Sequence, residues 1–132
     1  DIGCGLGRSF IVGKEIGVSE FYGVDISSEI IDLCNVNLSK KGISADLKSC
    51  DVDDYSLPNG KLAIYLFNPF GLEKMNELVD KISKRDSDTL VIYFNPKHPE
   101  VLKESLKIKE IVWNHFGMYR EMVYFYRFPP SS

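Results

Sequence analysis

The first seven residues, Asp1-Ile2-Gly3-Cys4-Gly5-Leu6-Gly7, place glycine at alternate positions ahead of a segment of helical character, Arg8 to Ile16. Glycines at this spacing let a backbone turn tightly and approach a ligand with no Cβ in the way. The amides that open the following helix can then face a polar group of that ligand. Asp25 stands 18 residues after Gly7, at the end of the short run Phe21-Tyr22-Gly23-Val24-Asp25. One carboxylate accepts two hydrogen bonds, so an acid at this place can hold both hydroxyls of a ribose. Loop and acid together predict a ligand that contains a nucleoside. The dinucleotide fingerprint G-x-G-x-x-G is not met. Counted from Gly3 its third glycine falls on Arg8, and counted from Gly5 the run Gly7-Arg8-Ser9-Phe10 breaks it.

Other polar groups lie where apolar runs end. Asp51, Asp53 and Asp54 form an acidic loop, any member of which could simply be solvated. Asn68-Pro69-Phe70-Gly71 closes one apolar run, and Asn95-Pro96-Lys97-His98-Pro99 closes another with the same Asn-Pro pair. An imidazole can take a proton from a hydroxyl, which makes His98 and His115 candidate bases, although a loop histidine is commonly just solvent-exposed. The three cysteines, Cys4, Cys34 and Cys50, include no CxxC pair. That count and spacing argue against a disulfide framework and against a zinc site, and favour a reducing, cytoplasmic setting.

These groups need a scaffold, and the hydrophobic pattern supplies one. Phe21 to Asp25 and Ala45 to Cys50 read as short strands. Between them Ser27 to Lys41 reads as a helix, capped by Ser27 or Ser28, striped by Ile30, Ile31, Cys34 and Leu38, and stopped by Gly42. Lys61 to Asn68 and Thr89 to Asn95 are continuous apolar strands, expected to be buried on both faces. The helix between them, Gly71 to Lys84, sets Leu72, Met75, Leu78, Val79 and Ile82 on one side. Pro99 to Leu106 is expected as a short helix. Lys107 to Asn114 and Glu121 to Phe128 are strands joined by the loop His115 to Arg120, a terminal antiparallel pair. Tyr124-Phe125-Tyr126 reads as strand packing. Strands alternating with amphipathic helices predict a doubly wound, mostly parallel α/β sheet. Ligands in such sheets sit outside the carboxyl ends of the strands, where the groups above lie.

Composition sets the outer limits. The chain has 132 residues, 44% hydrophobic and 27% charged, as in one globular domain rather than a disordered chain. Sixteen basic against nineteen acidic residues give a net charge of −3. Phosphate-driven nucleic-acid binding wants a basic face, so the charge disfavours it. The longest apolar runs fall far short of the ~20 residues of a membrane span. No basic-then-apolar leader is visible, so neither export nor anchoring is expected.

The ordered set of motifs resembles the class I S-adenosylmethionine-dependent methyltransferases. D-x-G-x-G-x-G, the acid in Gly23-Val24-Asp25-Ile26-Ser27, the Asp in Cys50-Asp51-Val52, Asn68-Pro69-Phe70-Gly71 and the closing antiparallel strand carry the likeness over almost the whole chain. The resemblance implies S-adenosylmethionine as cofactor. Asp1, Gly3, Gly5 and Gly7 would line its methionine end and sugar, and Asp25 would hold the ribose hydroxyls. Asp51 would accept from the adenine amine, the Val52 amide would meet a ring nitrogen, and Ile26 would pack on the adenine face. Asn68, Pro69 and Phe70 resemble the [DNS]-P-P-[YFW] motif of amine methyltransferases, with one Pro and the aromatic one place early. In that motif an amide oxygen and a backbone carbonyl aim an amine at the methyl group, and the ring stacks on the substrate. The expected activity is methyl transfer to a nitrogen or oxygen of a small molecule or protein side chain, with no metal. The family's first strand ends at its motif aspartate, so residues 1–132 are expected to form one methyltransferase domain lacking most of that strand. Two rivals remain: a non-catalytic nucleotide-binding or scaffold protein of the same fold, and an NAD-dependent oxidoreductase.

Overall fold

A computed structural model describes residues 1–103 and 105–132. They form two compact units, Asp1–Leu57 and Pro58–Ser132.

The first unit contains α1 (Arg8–Glu15), β1 (Tyr22–Asp25), α2 (Ser28–Lys40), β2 (Asp46–Ser49) and a 3-10 turn, Val52–Asp54. β1 and β2 pair in parallel, in register from Tyr22↔Asp46 to Asp25↔Ser49. On the other side of β1, Ile2 makes a single parallel bridge to Val24. α2 begins where the Ser27 hydroxyl accepts from the Ile30 amide at 3.3 Å. It ends where Gly42 takes a φ of 66°, the left-handed turn that glycine tolerates. Its stripe is Ile31, Cys34 and Leu38, which meet Cys4, Phe10 and Ile43 in the unit's core. Ile30 is only half-buried.

The second unit contains β3 (Leu62–Leu66), α3 (Leu72–Ser83), β4 (Thr89–Phe94), a 3-10 turn (Pro99–Leu102), β5 (Leu106–His115) and β6 (Tyr119–Phe128). Its sheet runs β3-β4-β6-β5. β3 and β4 are parallel, and β6 is antiparallel to both β4 and β5. The α/β class, the parallel pairs and the terminal antiparallel pair follow the sequence pattern. Among the described residues the named strands pair within each unit, two in the first and four in the second.

Four local expectations need correction. β3 and β4 are not buried on both faces: Thr89, Val91 and Tyr93 are buried, while Leu90, Ile92 and Phe94 are half-open. Apolar composition reports what a strand could bury, not what covers it. Of the α3 stripe, Met75, Leu78 and Ile82 are buried but Leu72, at the first turn, is exposed. Of the short helix expected over Pro99 to Leu106, Pro99–Leu102 forms a 3-10 turn and Leu106 already belongs to β5, while Glu104 lies outside the described residues. The loop His115 to Arg120 is a tight turn, because β5 runs to His115 and β6 starts at Tyr119. Phe116 and Gly117 both take positive φ there.

Arg85 fixes the approach to β3, donating to the Pro58 carbonyl at 2.6 Å, the Gly60 carbonyl at 2.5 Å and the Thr89 hydroxyl at 2.9 Å. β5 is one of the two edge strands of this sheet. Lysines and a bulge between Lys107 and Lys109 blunt further pairing there.

Candidate functional site

In the first unit the glycine loop is drawn onto the end of β1. The amides of Gly3 and Cys4 both donate to the Val24 carbonyl, at 2.8 and 3.0 Å, and the Val24 amide donates to the Asp1 carbonyl at 3.2 Å. Gly3, Gly5 and Gly7 have φ of 74°, 51° and 85°. A side chain at any of the three would be strained. At Gly7 it would also collide, since a Cβ would lie 2.8 Å from the Cys34 sulfur on α2. At Gly5 a Cβ would meet nothing within 4 Å, so that stretch of backbone is open to an incoming molecule. Gly7 caps α1 without a side-chain bond.

Asp25 is tied to this loop from below. Its Oδ2 accepts from the Gly5 amide at 3.2 Å and its Oδ1 from the Ser27 amide at 3.1 Å. The carboxylate is thereby oriented, and each oxygen retains a second lone pair. The Asp1 carboxylate accepts from the Ser9 hydroxyl on α1. Ser9 escaped the sequence reading, and its only signal was a hydroxyl in the first turn of the helix that follows the glycines.

The parallel register continues past the strands. The Cys50 amide donates to the Asp25 carbonyl at 3.1 Å, and the Ser49 hydroxyl to the Ile26 carbonyl at 3.3 Å. Asp25-Ile26 and Asp51-Val52 therefore lie at the carboxyl ends of neighbouring strands. The Ile26 side chain is 75% exposed, an apolar group that the fold leaves open. Asp51 accepts from the Asp53 amide at 3.2 Å, which sets the 3-10 turn, and Val52 is buried. Burial pushes the Cys4 thiol up to about 12, helped by Cys34 and Asp25 nearby. Cys4 is thus a packing group of the loop rather than a nucleophile.

In the second unit the two Asn-Pro pairs are laced together. Asn68 and Asn95 both take left-handed φ, 43° and 44°. The Asn68 amide nitrogen donates to the Asn95 carbonyl, and its Oδ1 accepts from the Lys97 amide at 3.0 Å. Asn95 in turn holds β6: its Oδ1 accepts from the Met122 amide at 2.9 Å, and its own amide donates to the Met122 carbonyl at 2.7 Å. Pro69 and Phe70 follow, both half-buried. The sequence singled out Asn68 as a contact to a ligand; in the structure it is the clamp between two loops, with one partner on its Oδ1 among the described residues. His98 lies 3.4 Å from Glu100, and its amide donates to the Tyr93 hydroxyl at 3.4 Å. The His115 Nε2 is 2.9 Å from Glu121, and its ring stacks on Tyr119 at 4.3 Å. Among the described residues no group of three or more His, Cys, Asp or Glu could hold a metal. No described helix is long and apolar enough to cross a membrane.

Comparison with known proteins adds to this geometry. A family model described as a methyltransferase domain matches residues 1–85, across the boundary between the two units. The ribosomal protein L11 methyltransferase of Thermotoga petrophila is 27% identical over 116 residues, covering 86% of this chain and 42% of that protein. The chain thus spans well under half the length of the curated relative it matches. Among solved structures, magnesium protoporphyrin IX methyltransferase from Synechocystis, with bound S-adenosylmethionine, superposes with a TM-score of 0.69 at 15% identity. That match covers 96% of this chain and 67% of the other. The ribosomal protein L11 methylase from Lactobacillus delbrueckii gives 0.64 at 20% identity, covering 95% and 67%. At these identities the superpositions show a shared fold.

Proposed function

Because the chain belongs to the methyltransferase domain family, we propose that it transfers a methyl group from S-adenosylmethionine to a nitrogen or oxygen of an acceptor, and that residues 1–132 belong to one such domain. The observation that carries the reading is the Asp25 carboxylate. It is fixed by the Gly5 and Ser27 amides, keeps a lone pair on each oxygen, and stands beside open glycine backbone and an exposed Ile26.

In this reading the donor, when bound, supplies a methyl group on a sulfonium, and the chain's residues bind and orient. Asp25 accepts from the two ribose hydroxyls. Gly3, Gly5 and Gly7 let the backbone approach the sugar and methionine end, with the Asp1 carboxylate, held by Ser9, beside them. Ile26 covers one face of the base, while Asp51 and the Val52 amide read its edge. Asn68 Oδ1 and the Pro69 carbonyl accept from the acceptor and aim its lone pair. Transfer to an acceptor held in this way would be an in-line displacement, to which orientation by these groups would contribute much of the rate. The half-buried Phe70 lines this loop. Small molecules and protein side chains both fall within the acceptor class, and the likeness to ribosomal protein L11 methyltransferases supports a protein among them.

Calorimetric titration with S-adenosylhomocysteine, and separately with NAD, tests the reading. Saturable binding of the former alone is the expected result. Binding of NAD alone would make the chain an oxidoreductase, and a folded chain that binds neither would be a scaffold. Substituting Asn68→Ala is expected to remove turnover while leaving affinity for S-adenosylhomocysteine in place.

A further inference from the structure

The turn at the centre of the glycine loop is tied at three points, all within the first unit. Cys4 to Gly7 is closed by the Gly7 amide, which donates to the Cys4 carbonyl at 3.0 Å. The Gly5 amide donates to Asp25 Oδ2 at 3.2 Å. The third tie comes from α2: the Asn37 side-chain amide donates to the Leu6 carbonyl at 3.3 Å, across 31 residues of sequence. The peptide joining Leu6 to Gly7 is therefore held at both polar atoms, its N–H by Cys4 and its C=O by Asn37. Between Gly3 and Gly7, the amides of Gly3, Cys4, Gly5 and Gly7 all donate within the unit, and that of Leu6 donates to no group among the described residues. Asn37 lies three residues after Cys34 and one before Leu38, at the border of the stripe that packs against Gly7. It is half-buried there, whereas Asn35 on the same helix is exposed. Asparagine is a poorer helix former than alanine, because its side chain competes for nearby backbone groups. Here that side chain is turned instead to a carbonyl of another element.

We propose that Asn37 is a positioning residue for the methyl donor: by holding the Leu6 carbonyl to α2 it fixes the backbone from Gly5 to Gly7 and keeps the Leu6 amide free for a polar atom of the ligand. The inference rests on the donor reading of this loop given above and adds a residue outside its motifs. Asn37 itself touches no ligand and acts through Leu6. Glycine makes the loop permissive, so the same residues that allow close approach leave many backbone settings open. A bond from a helix that is itself packed on the loop selects one of them. Only the fraction of loops in the competent setting binds, so apparent affinity falls in proportion to that fraction. Next to Leu6, which is 43% exposed, a Cβ added to Gly5 would meet nothing within 4 Å, which leaves room for the ligand at this turn.

The test compares the isotope-labelled 132-residue chain with its Asn37→Ala and Asn37→Asp variants, each titrated with S-adenosylhomocysteine at pH 7. Aspartate keeps the shape of asparagine but has no hydrogen to donate when ionised. In the unaltered chain, saturation is expected to move the Leu6 amide resonance. In both variants the cross-peak that joins the Leu6 carbonyl to the Gly7 amide should shift before any ligand is added. Both should also bind about threefold to tenfold more weakly by calorimetry. Alanine favours a helix more than asparagine does, so the urea midpoint of Asn37→Ala should fall little while its affinity falls. A lowered midpoint with unchanged affinity would make Asn37 a structural prop and overturn the proposal. Native affinity in Asn37→Asp, or a Leu6 amide that saturating ligand leaves unmoved, would overturn it too. The two readings fail separately. Undiminished binding by both variants sinks the positioning role alone, whereas a folded, unaltered chain that binds no S-adenosylhomocysteine sinks the donor reading and the positioning role with it.

Discussion

Each glycine of the opening loop has its own reason to be glycine, and substitution separates the reasons. Gly7 has both a left-handed φ and the Cys34 sulfur at 2.8 Å from where a Cβ would stand. Gly7→Ala is expected to lower stability by more than ~2 kcal/mol in urea unfolding, since strain and overpacking add. Gly5 has the φ but open space. Gly5→Ala should cost only ~1–2 kcal/mol, yet weaken S-adenosylhomocysteine binding, because the new methyl group points where the ligand approaches. Cys4 yields a pH prediction. Burial, with Cys34 and Asp25 nearby, raises its thiol from 9.0 to about 12. The folded chain therefore holds this proton longer than the unfolded chain. Its stabilising contribution is full below about pH 9 and is lost as pH rises toward 12, with a slope of up to ~1.4 kcal/mol per pH unit. Urea midpoints measured between pH 7 and 11 should fall on the alkaline side, and Cys4→Ala should flatten that fall.

Whole elements were readable where one period dominated. α2 and α3 carry clean helical stripes, and Ser27 and Gly42 mark the ends of α2 at the predicted places within a residue. β3 and β4 were visible as apolar runs, but composition could not say which face would be covered, and only alternate residues are buried. The sequence places a loop from His115 to Arg120, whereas β5 and β6 run on to His115 and Tyr119 and the reversal is confined to the residues around Phe116 and Gly117, both at positive φ. At the candidate site the glycines, Asp25, Asp51 and Asn68 were legible by type and spacing. The lacing of Asn68 to Asn95 and of Asp1 to Ser9 was not, because those bonds join residues far apart in the chain or on different elements. The lacing has a measurable consequence. Asn95 supplies both a left-handed turn and a side-chain bond to Met122. Asn95→Gly keeps the turn and loses the bond, and is expected to cost ~1 kcal/mol. Asn95→Ala loses both, and is expected to cost ~2–3 kcal/mol. Equal losses in the two variants would show that the side-chain bond alone matters.

For the molecule as a whole, charge and family membership constrain what it can act on. With sixteen basic and nineteen acidic residues the chain has no excess of positive charge. A fluorescein-labelled RNA is expected to show no binding in anisotropy at ~0.15 M salt, where phosphate contacts from a basic face would still hold. Tight binding with a steep salt dependence would move the acceptor to nucleic acid. The central proposal is narrower and rests on one carboxylate: that Asp25, presented by the Gly5 and Ser27 amides, is the group that would hold the ribose of S-adenosylmethionine. Calorimetric comparison of the chain and its Asp25→Ala variant with S-adenosylhomocysteine tests this most directly. Loss of two hydrogen bonds to a charged acceptor, at ~1.5–3 kcal/mol each, predicts at least a hundredfold weaker binding by a variant that still folds. Unchanged affinity in a folded Asp25→Ala chain would contradict the account.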